Sequence, residues 1–428
     1  MKKFYIKTFG CQMNVHDSEK MAGILTGADY AITERPDDAD ILIFNTCSIR
    51  HKAEQKFFSY LGRFQNIKKK RPDVKIVVAG CIAQQEDKKI FSKAPFVDHV
   101  IGPQNIMKIR TVTQMDKRST HTYDNPFIIE EESAVVRDSR VRAWVNIMYG
   151  CDNFCSYCVV PYTRGREQSR SSDRIINEVT RLVDEGFKEI CLLGQNVNSY
   201  SADTNFVGLL KKLNKISGIE RIRFMTSHPR DLSDELIRAF GDLEKLCEHM
   251  HLPLQSGSNR VLGLMNRGYN YSEYKEKVER LRSVVPDIAI TTDIIAGFPT
   301  ETELEHKDTV KALKEIKYDG IFAFKYSPRP MTKATEMDGH LDEKIKTDWL
   351  NEILGVQDRI TDERNRALMG SVLEVLTDID MQTGYLAGRT RMNKIVNFRD
   401  TEGLTPGMLI TAKIVNTYKH SLEAEIIT

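Results

Sequence analysis

Short apolar runs alternate with helical patterns over the first third of the chain. Helical spacing of apolar residues occurs at Asp17–Thr26 and Ala53–Lys69. The runs that predict strands are Phe4–Gly10, Ile41–Asn45 and Lys75–Gly80. Strands and helices in alternation indicate a parallel sheet with helices on its faces, so we expect an α/β domain over residues 1–125. The polar stretch from Arg110 to Arg140 lacks periodicity and predicts a linker.

The middle of the chain repeats the alternation of strand and helix six times. The strand-like runs are Ala143–Tyr149, Glu189–Gly194, Arg221–Ser227, His249–Leu254, Ala289–Ala296 and Gly320–Tyr326. Six β/α units in succession predict a barrel or a partial barrel, because a full eight-unit barrel needs more chain. We place this domain at residues 137–366, closed by a helix-rich stretch from Leu341 to Arg366.

The last segment, residues 367–428, has an all-β pattern. Val372–Leu376 and Leu409–Val415 have strand character, and Pro406 with Gly407 predicts a turn. A small all-β barrel is therefore expected at the end of an otherwise α/β chain.

Composition limits the partners that the chain can attract. Lys and Arg number 62 and Asp and Glu 60, so the net charge is +2 and any nucleic-acid contact must be a local patch. The sequence shows no apolar run long enough for a membrane span and no signal peptide at its start, so we expect a cytoplasmic protein without membrane contact. In that reducing compartment the eight cysteines predict thiols or metal ligands rather than disulfides.

Three cysteines lie within eight residues just after a predicted strand. Cys151, Cys155 and Cys158 are separated by three and two residues. Thiolates on so short a loop suit a 4Fe–4S cluster, and three ligands leave one iron open for another molecule. A zinc site is the alternative, but zinc usually takes four ligands and no fourth one stands nearby.

A second set of cysteines is spread along the first domain. Cys11, Cys47 and Cys81 each stand at or just beyond the end of a predicted strand. The carboxyl ends of parallel strands lie at one edge of a sheet, so the three could meet and hold a second cluster with an open iron. They could instead be buried core thiols. Cys191 and Cys247 are expected to be packing residues.

Several motifs together resemble the radical S-adenosylmethionine methylthiotransferase family. They are Lys7–Asn14, Asn45–Arg50, Tyr149–Cys158, Val159–Glu167, Leu193–Asn198 and His251–Ser258. The likeness covers essentially the whole chain and implies an N-terminal methylthiotransferase domain, a radical core and a C-terminal TRAM domain that binds RNA.

The resemblance implies a radical reaction on transfer RNA. One S-adenosylmethionine would methylate a sulfur held at the second cluster, and another, on the cluster of the core cysteines, would give the radical that removes hydrogen from carbon 2 of N(6)-isopentenyladenosine at position 37. The cofactors are therefore two 4Fe–4S clusters and S-adenosylmethionine, and the partners are the anticodon stem-loop of transfer RNA and a reducing protein such as flavodoxin or ferredoxin. The alternatives are threonylcarbamoyladenosine or a ribosomal protein side chain as the substrate, and a non-catalytic iron–sulfur RNA-binding protein.

The resemblance also implies which residues contact S-adenosylmethionine. They are Tyr157, Gly194, Gln195, Asn196, Gln255, Ser256 and Gly297. The alternative for those at strand ends is a simple turn. Thr300 and Met331 depart from the glycine that many members have at these positions, which affects local loop shape.

Two groups of basic residues are candidates for RNA contact. Arg164, Arg166 and Arg170 follow the core cysteines closely, although a solvated helix face is the ordinary place for Arg. In the last domain the basic residues concentrate in one stretch, which contains Arg389, Arg391, Lys394 and Arg399. Phosphate binding needs such a patch rather than a net charge.

Overall fold

The computed structural model describes residues 1–48, 51–125, 134–137, 139–379, 386–398 and 402–427. The first domain contains β1 (Lys3–Thr8), α1 (Gln12–Thr26), β2 (Ala31–Ile32), β3 (Ile41–Thr46), α2 (His51–Lys70), β4 (Lys75–Gly80), α3 (Cys81–Glu86), α4 (Lys89–Lys93), β5 (His99–Ile101), α5 (Ile109–Thr113) and β6 (Ser119–His121). Its six strands form one parallel sheet in the order β2-β1-β3-β4-β5-β6. The predicted α/β domain is confirmed.

The sheet of the first domain brings its central strands to a common carboxyl edge. Every residue of β3 is buried, as an apolar run between two neighbouring strands requires. Thr8 of β1 pairs with Asn45, and Thr46 pairs with Gly80 at the end of β4. The segments that carry Cys11, Cys47 and Cys81 therefore leave the sheet at the same edge.

The prediction of an unstructured linker from Arg110 was wrong for its first part. The helix α5 covers the sheet, and β6 pairs with β5 as the sixth strand. β6 has three half-buried residues with polar side chains, so its sequence offers no apolar alternation to reveal a strand. Residues 126–133 and 138 of this stretch lie outside the described residues.

The middle domain contains β7 (Arg142–Asn146), β8 (Met148–Tyr149), α6 (Val160–Arg164), β9 (Gln168–Ser169), α7 (Ser172–Asp184), β10 (Glu189–Leu193), α8 (Phe206–Asn214), β11 (Arg221–Phe224), α9 (Asp234–Asp242), β12 (His249–His251), α10 (Asn259–Leu264), α11 (Tyr271–Val284), β13 (Ala289–Ala296), α12 (Glu303–Ile316), β14 (Gly320–Lys325) and α13 (Glu343–Arg366). The parallel strands β7, β10 and β11 form one sheet, and β12, β13 and β14 form another. A parallel bridge pairs Ile222 of β11 with Leu246, in the segment that leads into β12, and so places the two sheets side by side as the expected partial barrel of six strands.

The last domain is a closed five-stranded barrel in the order β15-β16-β17-β19-β18, as expected. Its strands are β15 (Val372–Ile379), β16 (Leu386–Thr390), β17 (Ile395–Phe398), β18 (Leu409–Thr417) and β19 (Leu422–Ile426). Val375, Val396, Ile410, Leu422 and Ala424 contribute to its small apolar core.

The C-terminal barrel packs against the amino ends of the strands of the middle domain. Arg221 is the first residue of β11, is fully buried, and donates to the carbonyl oxygen of Arg389 at 2.6 Å. Arg223 donates to the carbonyl oxygen of Arg391 at the same distance. The carboxyl ends of the strands of the middle domain, on the opposite side, therefore remain free of the C-terminal barrel.

Two smaller expectations can be compared with the structure. Cys191 and Cys247 are both buried, and burial raises the pKa of their thiols to about 12 and about 11. In the described ranges no helix has the length and apolar character needed to cross a membrane.

Candidate active site

The core cysteines, by which we mean Cys151, Cys155 and Cys158, lie in the loop that follows β8. Burial raises the pKa of the Cys151 thiol to about 11, and burial together with the neighbouring Cys155 raises that of Cys158 to about 12. The thiols are close enough to disfavour one another's charged form, so a bound cationic group would be needed to keep all three as thiolates.

A large cavity of about 1470 Å³ opens at the carboxyl ends of the barrel strands, and the core cysteines line it. Its volume exceeds the roughly 300–1,000 Å³ that a single small ligand fills. The cavity is also lined by Thr8, Phe9 and Gly10, which come from the first domain. The segment that leads into Cys11 thus reaches the same space as the core cysteines.

Arg267 is a buried residue beside the core cysteines that the sequence did not reveal. Its Nη1 donates to Cys155 Sγ at 3.2 Å, and its Nη2 donates to the carbonyl oxygen of Pro253 at 3.0 Å. The ring of Tyr157, the aromatic residue before the third cysteine, also lines the cavity, with its hydroxyl 3.4 Å from Arg267 Nη1. Arg267 stands in the turn after α10, in no recognisable motif.

The N-terminal cysteines, by which we mean Cys11, Cys47 and Cys81, come together at the edge of the first sheet. Cys11 is the N-cap of α1, and Cys81 is the first residue of α3. Gly10 has φ +143°, and a Cβ built there would be 2.5 Å from Cys47 Cβ, so only glycine allows this close approach. A hydrogen bond from Cys47 lowers the pKa of Cys11, which places these two sulfurs in contact.

Amide side chains hold the backbone around the N-terminal cysteines. Asn14 Oδ1 accepts from Cys11 Sγ at 3.4 Å, and Asn14 Nδ2 donates to Asn45 Oδ1 at 3.1 Å. Asn45 Nδ2 in turn donates to the carbonyl oxygen of Asn14 at 2.7 Å. This network links the start of α1 to the end of β3 and explains why both segments carry an Asn beside their Cys.

Each of the two sites presents three free thiols, which is a donor set that a 4Fe–4S cluster can use. Within the part of the chain that the structure describes, no three His, Cys, Asp or Glu side chains are arranged around one metal ion. A 4Fe–4S cluster makes a different demand, since each thiolate binds a different iron.

Comparison with known proteins follows the same division of the chain. Residues 3–102 match the family described as "Uncharacterized protein family UPF0004", and residues 145–313 match the radical SAM superfamily. A protein of Thermodesulfovibrio yellowstonii named tRNA-2-methylthio-N(6)-dimethylallyladenosine synthase is 52% identical over 99% of this chain and 98% of its own. A protein of the same name from Syntrophus aciditrophicus is 46% identical over 100% of this chain and 95% of its own.

The chain belongs to the radical S-adenosylmethionine methylthiotransferase family. Membership of the radical SAM superfamily implies a 4Fe–4S cluster and S-adenosylmethionine as cofactors.

Solved structures share the fold of this methylthiotransferase at low sequence identity. The radical S-adenosylmethionine methyltransferase TsrM from Kitasatospora setae gives a TM-score of 0.55 at 11% identity, over 76% of this chain and 73% of its own. The cobalamin-dependent S-adenosylmethionine radical enzyme OxsB gives 0.53 at 11% identity, over 83% of this chain and 56% of its own. At this identity the likeness concerns the fold alone.

The structure separates the candidate S-adenosylmethionine residues of the methylthiotransferase into two groups. Gln195 and Gln255 line the cavity with Tyr157. Both amide atoms of Gln195 are buried without a hydrogen-bond partner, which is the state expected of a group that awaits a polar ligand. Gln255 has φ +75° and forms a bridge to Ile294 of β13.

The other candidates are engaged inside the protein rather than at the cavity wall. Asn196 Nδ2 donates to Asp231 Oδ2 at 2.7 Å, whereas its Oδ1 is buried without a hydrogen-bond partner, and Gly194 packs against Met148. Ser256 is fully buried, and its hydroxyl accepts from the backbone N–H of Ser258 at 3.2 Å. These three support the strand ends that present their neighbours.

Gly297 occupies a similar supporting position after β13. Its N–H donates to Glu301 Oε2 at 2.8 Å, and the N–H of Phe298 donates to the same oxygen at 2.9 Å. Burial raises the pKa of Glu301 to about 7. Gly297 is thus part of a tight turn beneath the cavity.

Most of the expected RNA-contacting arginines of the core turn out to be internal. Arg170 is largely buried and donates to Glu178 Oε2 at 2.7 Å, and Arg164 is buried against Asp17. Arg166 differs from both, since 70% of its side chain is exposed and its guanidinium pairs with Asp152 at 3.1 Å. Of these three arginines only Arg166 is available to a macromolecule.

The basic stretch of the last domain does not form a free patch. Arg391 pairs with Glu248 Oε1 at 2.7 Å, and Lys394 pairs with Asp319 Oδ1 at 3.1 Å. Arg389 lies in the same interface, at the end of the barrel opposite the cavity, and Arg399 lies outside the described residues. The net charge of the last domain does not reveal these pairs, because their acidic partners belong to the middle domain.

Two further polar residues of the cavity were missing from the sequence prediction. His228 follows β11, and burial together with Arg267 lowers the pKa of its imidazole to about 2, so it is neutral. Asp293 of β13 lines the cavity and lies 3.4 Å from His251 Nε2. His228 stands after a strand end, so the strand-end rule that selected Gln195 would have selected it too.

Proposed function

We propose that this chain transfers a methylthio group to carbon 2 of N(6)-isopentenyladenosine at position 37 of transfer RNA. The observation that carries the proposal is the shared cavity, in which the core cysteines face the segment Thr8–Gly10 that leads into Cys11. A reaction that joins a sulfur group to a carbon needs its activating site and its sulfur-donating site within reach of one substrate atom. The names of the full-length relatives support the choice of substrate.

The core cysteines would hold the 4Fe–4S cluster, with Gln195 and Tyr157 beside the bound S-adenosylmethionine. Once bound, this pair would supply one-electron chemistry that can break the carbon 2–hydrogen bond of adenine, a bond that is not acidic enough for a side-chain base to deprotonate. The residues of the chain position the two groups and keep bulk water from them. Gln195 offers a donor and an acceptor that have no partner in the protein.

The N-terminal cysteines would hold a second 4Fe–4S cluster, which would supply the site for the sulfur that is methylated and transferred. Their three thiols converge from strand ends that are far apart in the sequence. A small soluble reductant such as flavodoxin or ferredoxin would deliver electrons.

The open side of the partial barrel would admit the nucleobase. Phe322 and Phe324 lie on one face of β14, and both rings are partly exposed. Phe324 lines the cavity with Leu350 and Leu354 of α13, and Phe322 packs edge-on against His251 at 5.9 Å. Aromatic rings stack on single-stranded bases, and the apolar side chains of α13 suit an isopentenyl group.

The proposal is tested by turnover in vitro. Anaerobically reconstituted protein is incubated with S-adenosylmethionine, dithionite and transfer RNA that carries isopentenyladenosine, and the nucleosides are analysed by mass spectrometry. We expect 2-methylthio-isopentenyladenosine together with 5′-deoxyadenosine. Transfer RNA that carries threonylcarbamoyladenosine and ribosomal protein are the competing substrates, and modification of either one instead would overturn the proposal.

A variant separates the two sites. Cys11→Ala should abolish methylthio transfer yet retain cleavage of S-adenosylmethionine, because the core cysteines are intact. A non-catalytic RNA-binding protein would produce no 5′-deoxyadenosine in either form. Full methylthio transfer by the Cys11 variant would show that sulfur does not come from the N-terminal cysteines.

A further inference from the structure

Arg164 and Asp17 form a buried ion pair between the first two domains. Arg164 Nη2 donates to Asp17 Oδ2 at 2.8 Å, and the side chains are only 4% and 1% exposed. Asp17 belongs to α1, which begins just after Cys11, and Arg164 is the last residue of α6, which begins just after the core cysteines. The pair therefore joins the two helices that leave the two cysteine sites.

The free end of the Arg164 guanidinium faces the N-terminal cysteines. Its Nη1 is buried and has no hydrogen-bond partner. The helix α6 packs on α3, whose first residue is Cys81, and the positive charge of Arg164 acts on the thiols of both Cys81 and Cys11. Burial raises the pKa of the Cys81 thiol, and a hydrogen bond from Arg164 opposes that rise, so the guanidinium is in contact with one of the three thiols.

The backbone fixes this direction. The carbonyl oxygen of Arg164 accepts from Gln104 Nε2 of the first domain at 2.9 Å. Gly165 follows with φ +78°, and a Cβ there would collide with that same Nε2. The chain thus turns sharply after Arg164 and is held against the first domain there, while Asp17 holds the guanidinium itself.

We infer that Arg164, held by Asp17, is the positioning cation of the second cluster: it neutralises the anionic sulfurs at the N-terminal cysteines and couples that site to the core. The inference rests on the proposed function, which places a cluster at these cysteines. A buried cation stabilises the more negative, reduced form of an iron–sulfur cluster, so the pair should set its reduction potential. Asp17 opposes this effect, because its carboxylate offsets part of the charge.

The test is a reductive titration followed by electron paramagnetic resonance. It uses the full-length chain with the core cysteines replaced by Ala, so that the cluster at the N-terminal cysteines gives the signal. Arg164→Gln should shift the potential to more negative values, and Asp17→Asn should shift it to more positive values. Arg164→Lys keeps the charge and should stay closer to the parent than Arg164→Gln does.

Opposite shifts distinguish this role from a structural one. If the pair served only to dock the domains, both Asp17→Asn and Arg164→Gln would lower cluster occupancy alike or shift the potential in the same direction, and the inference would be overturned. The pair Arg391–Glu248 is the matched control, since Glu248→Gln breaks an ion pair between domains at the far end of the barrel and should leave the potential unchanged. If the chain with the core cysteines replaced by Ala binds no iron, the proposed second cluster is refuted. If that chain binds its cluster and the Arg164 and Asp17 variants leave the potential unchanged, only the role of Arg164 is refuted.

Discussion

Arg267 Nη1 lies 3.2 Å from Cys155 Sγ, so a buried guanidinium contacts one of the three core thiols directly. Arg164 holds a comparable place beside the N-terminal cysteines. Each of the two cysteine sites thus has one arginine that is only 4% exposed and comes from outside the cysteine loop itself. Three thiolates in a low-dielectric site need such charge compensation.

Arg267→Gln should shift the potential of the core cluster to more negative values, because it removes a positive charge and a hydrogen bond to a ligand sulfur. The measurement is a reductive titration of the chain in which the N-terminal cysteines are replaced by Ala. Arg267→Lys keeps the charge and serves as the control, with a smaller shift. An unchanged potential in the Gln variant would refute the electrostatic role.

Gln195→Leu should weaken the binding of S-adenosylmethionine about tenfold, or by about 1.4 kcal/mol, because it removes two unpartnered polar groups from the cavity. Equilibrium dialysis measures the dissociation constant. The thermal midpoint should stay unchanged, since this amide has no partner inside the protein.

The adjacent residue supplies the matched control for Gln195. Asn196→Leu should lower stability by about 1–3 kcal/mol, because the partly buried carboxylate of Asp231 loses the hydrogen bond at 2.7 Å although it keeps its pairing with Arg230. Its effect on cofactor affinity should be the smaller of the two. A larger loss of S-adenosylmethionine affinity in the Asn196 variant than in the Gln195 variant would contradict the assignment of Gln195 as the cofactor-binding residue.

Arg391→Gln should lower stability without changing the affinity for transfer RNA, because Arg391 pairs with Glu248 across a domain interface.

Arg166→Gln should weaken the binding of transfer RNA and reduce the salt dependence of that binding by about one phosphate contact, since Arg166 is exposed beside the cavity loop. Thermal unfolding and a binding titration at several salt concentrations measure the two effects. A loss of RNA affinity in the Arg391 variant would instead support RNA contact by the basic stretch of the last domain.

Glu301 should make stability fall as the pH rises. Burial raises the pKa of its carboxyl from 4.5 to about 7, so the folded protein favours the protonated form. This contribution is complete below about pH 4.5 and is lost as the pH rises through 7, a difference of about 3 kcal/mol. Glu301→Gln keeps an acceptor for the N–H groups of Gly297 and Phe298 and should flatten the dependence. The measurement is the urea midpoint of both proteins between pH 5 and pH 8. An equal change of the midpoint with pH in the unaltered chain and in the Gln variant would disprove the role of Glu301.

The sequence predicted the elements that are governed by local pattern. The strand Ala289–Ala296 was predicted to the residue, because β-branched residues dominate it and turn-forming residues bound it. The strands β2, β5 and β6 were missed, since each has only two or three residues and gains its structure from pairing with neighbours. The core cysteines were found because their spacing is itself the signal.

The side-chain partners that the sequence did not reveal depend on tertiary contacts. Arg170 and Arg391 looked like solvent-facing basic residues, and their carboxylate partners are eight and 143 positions away along the chain. Arg267 carries no motif, and it reaches Cys155 only because the barrel brings α10 beside the cysteine loop. Such pairings are decided by tertiary packing, which periodicity and spacing do not encode.

The central claim is that two separate cysteine sites each hold a cluster and serve one cavity. The most direct measurement is the iron and sulfide content of anaerobically reconstituted protein. The account predicts about eight irons per chain, and about four when either the core cysteines or the N-terminal cysteines are replaced by Ala. About four irons in the unaltered chain, with no change on replacement of the N-terminal cysteines, would contradict it.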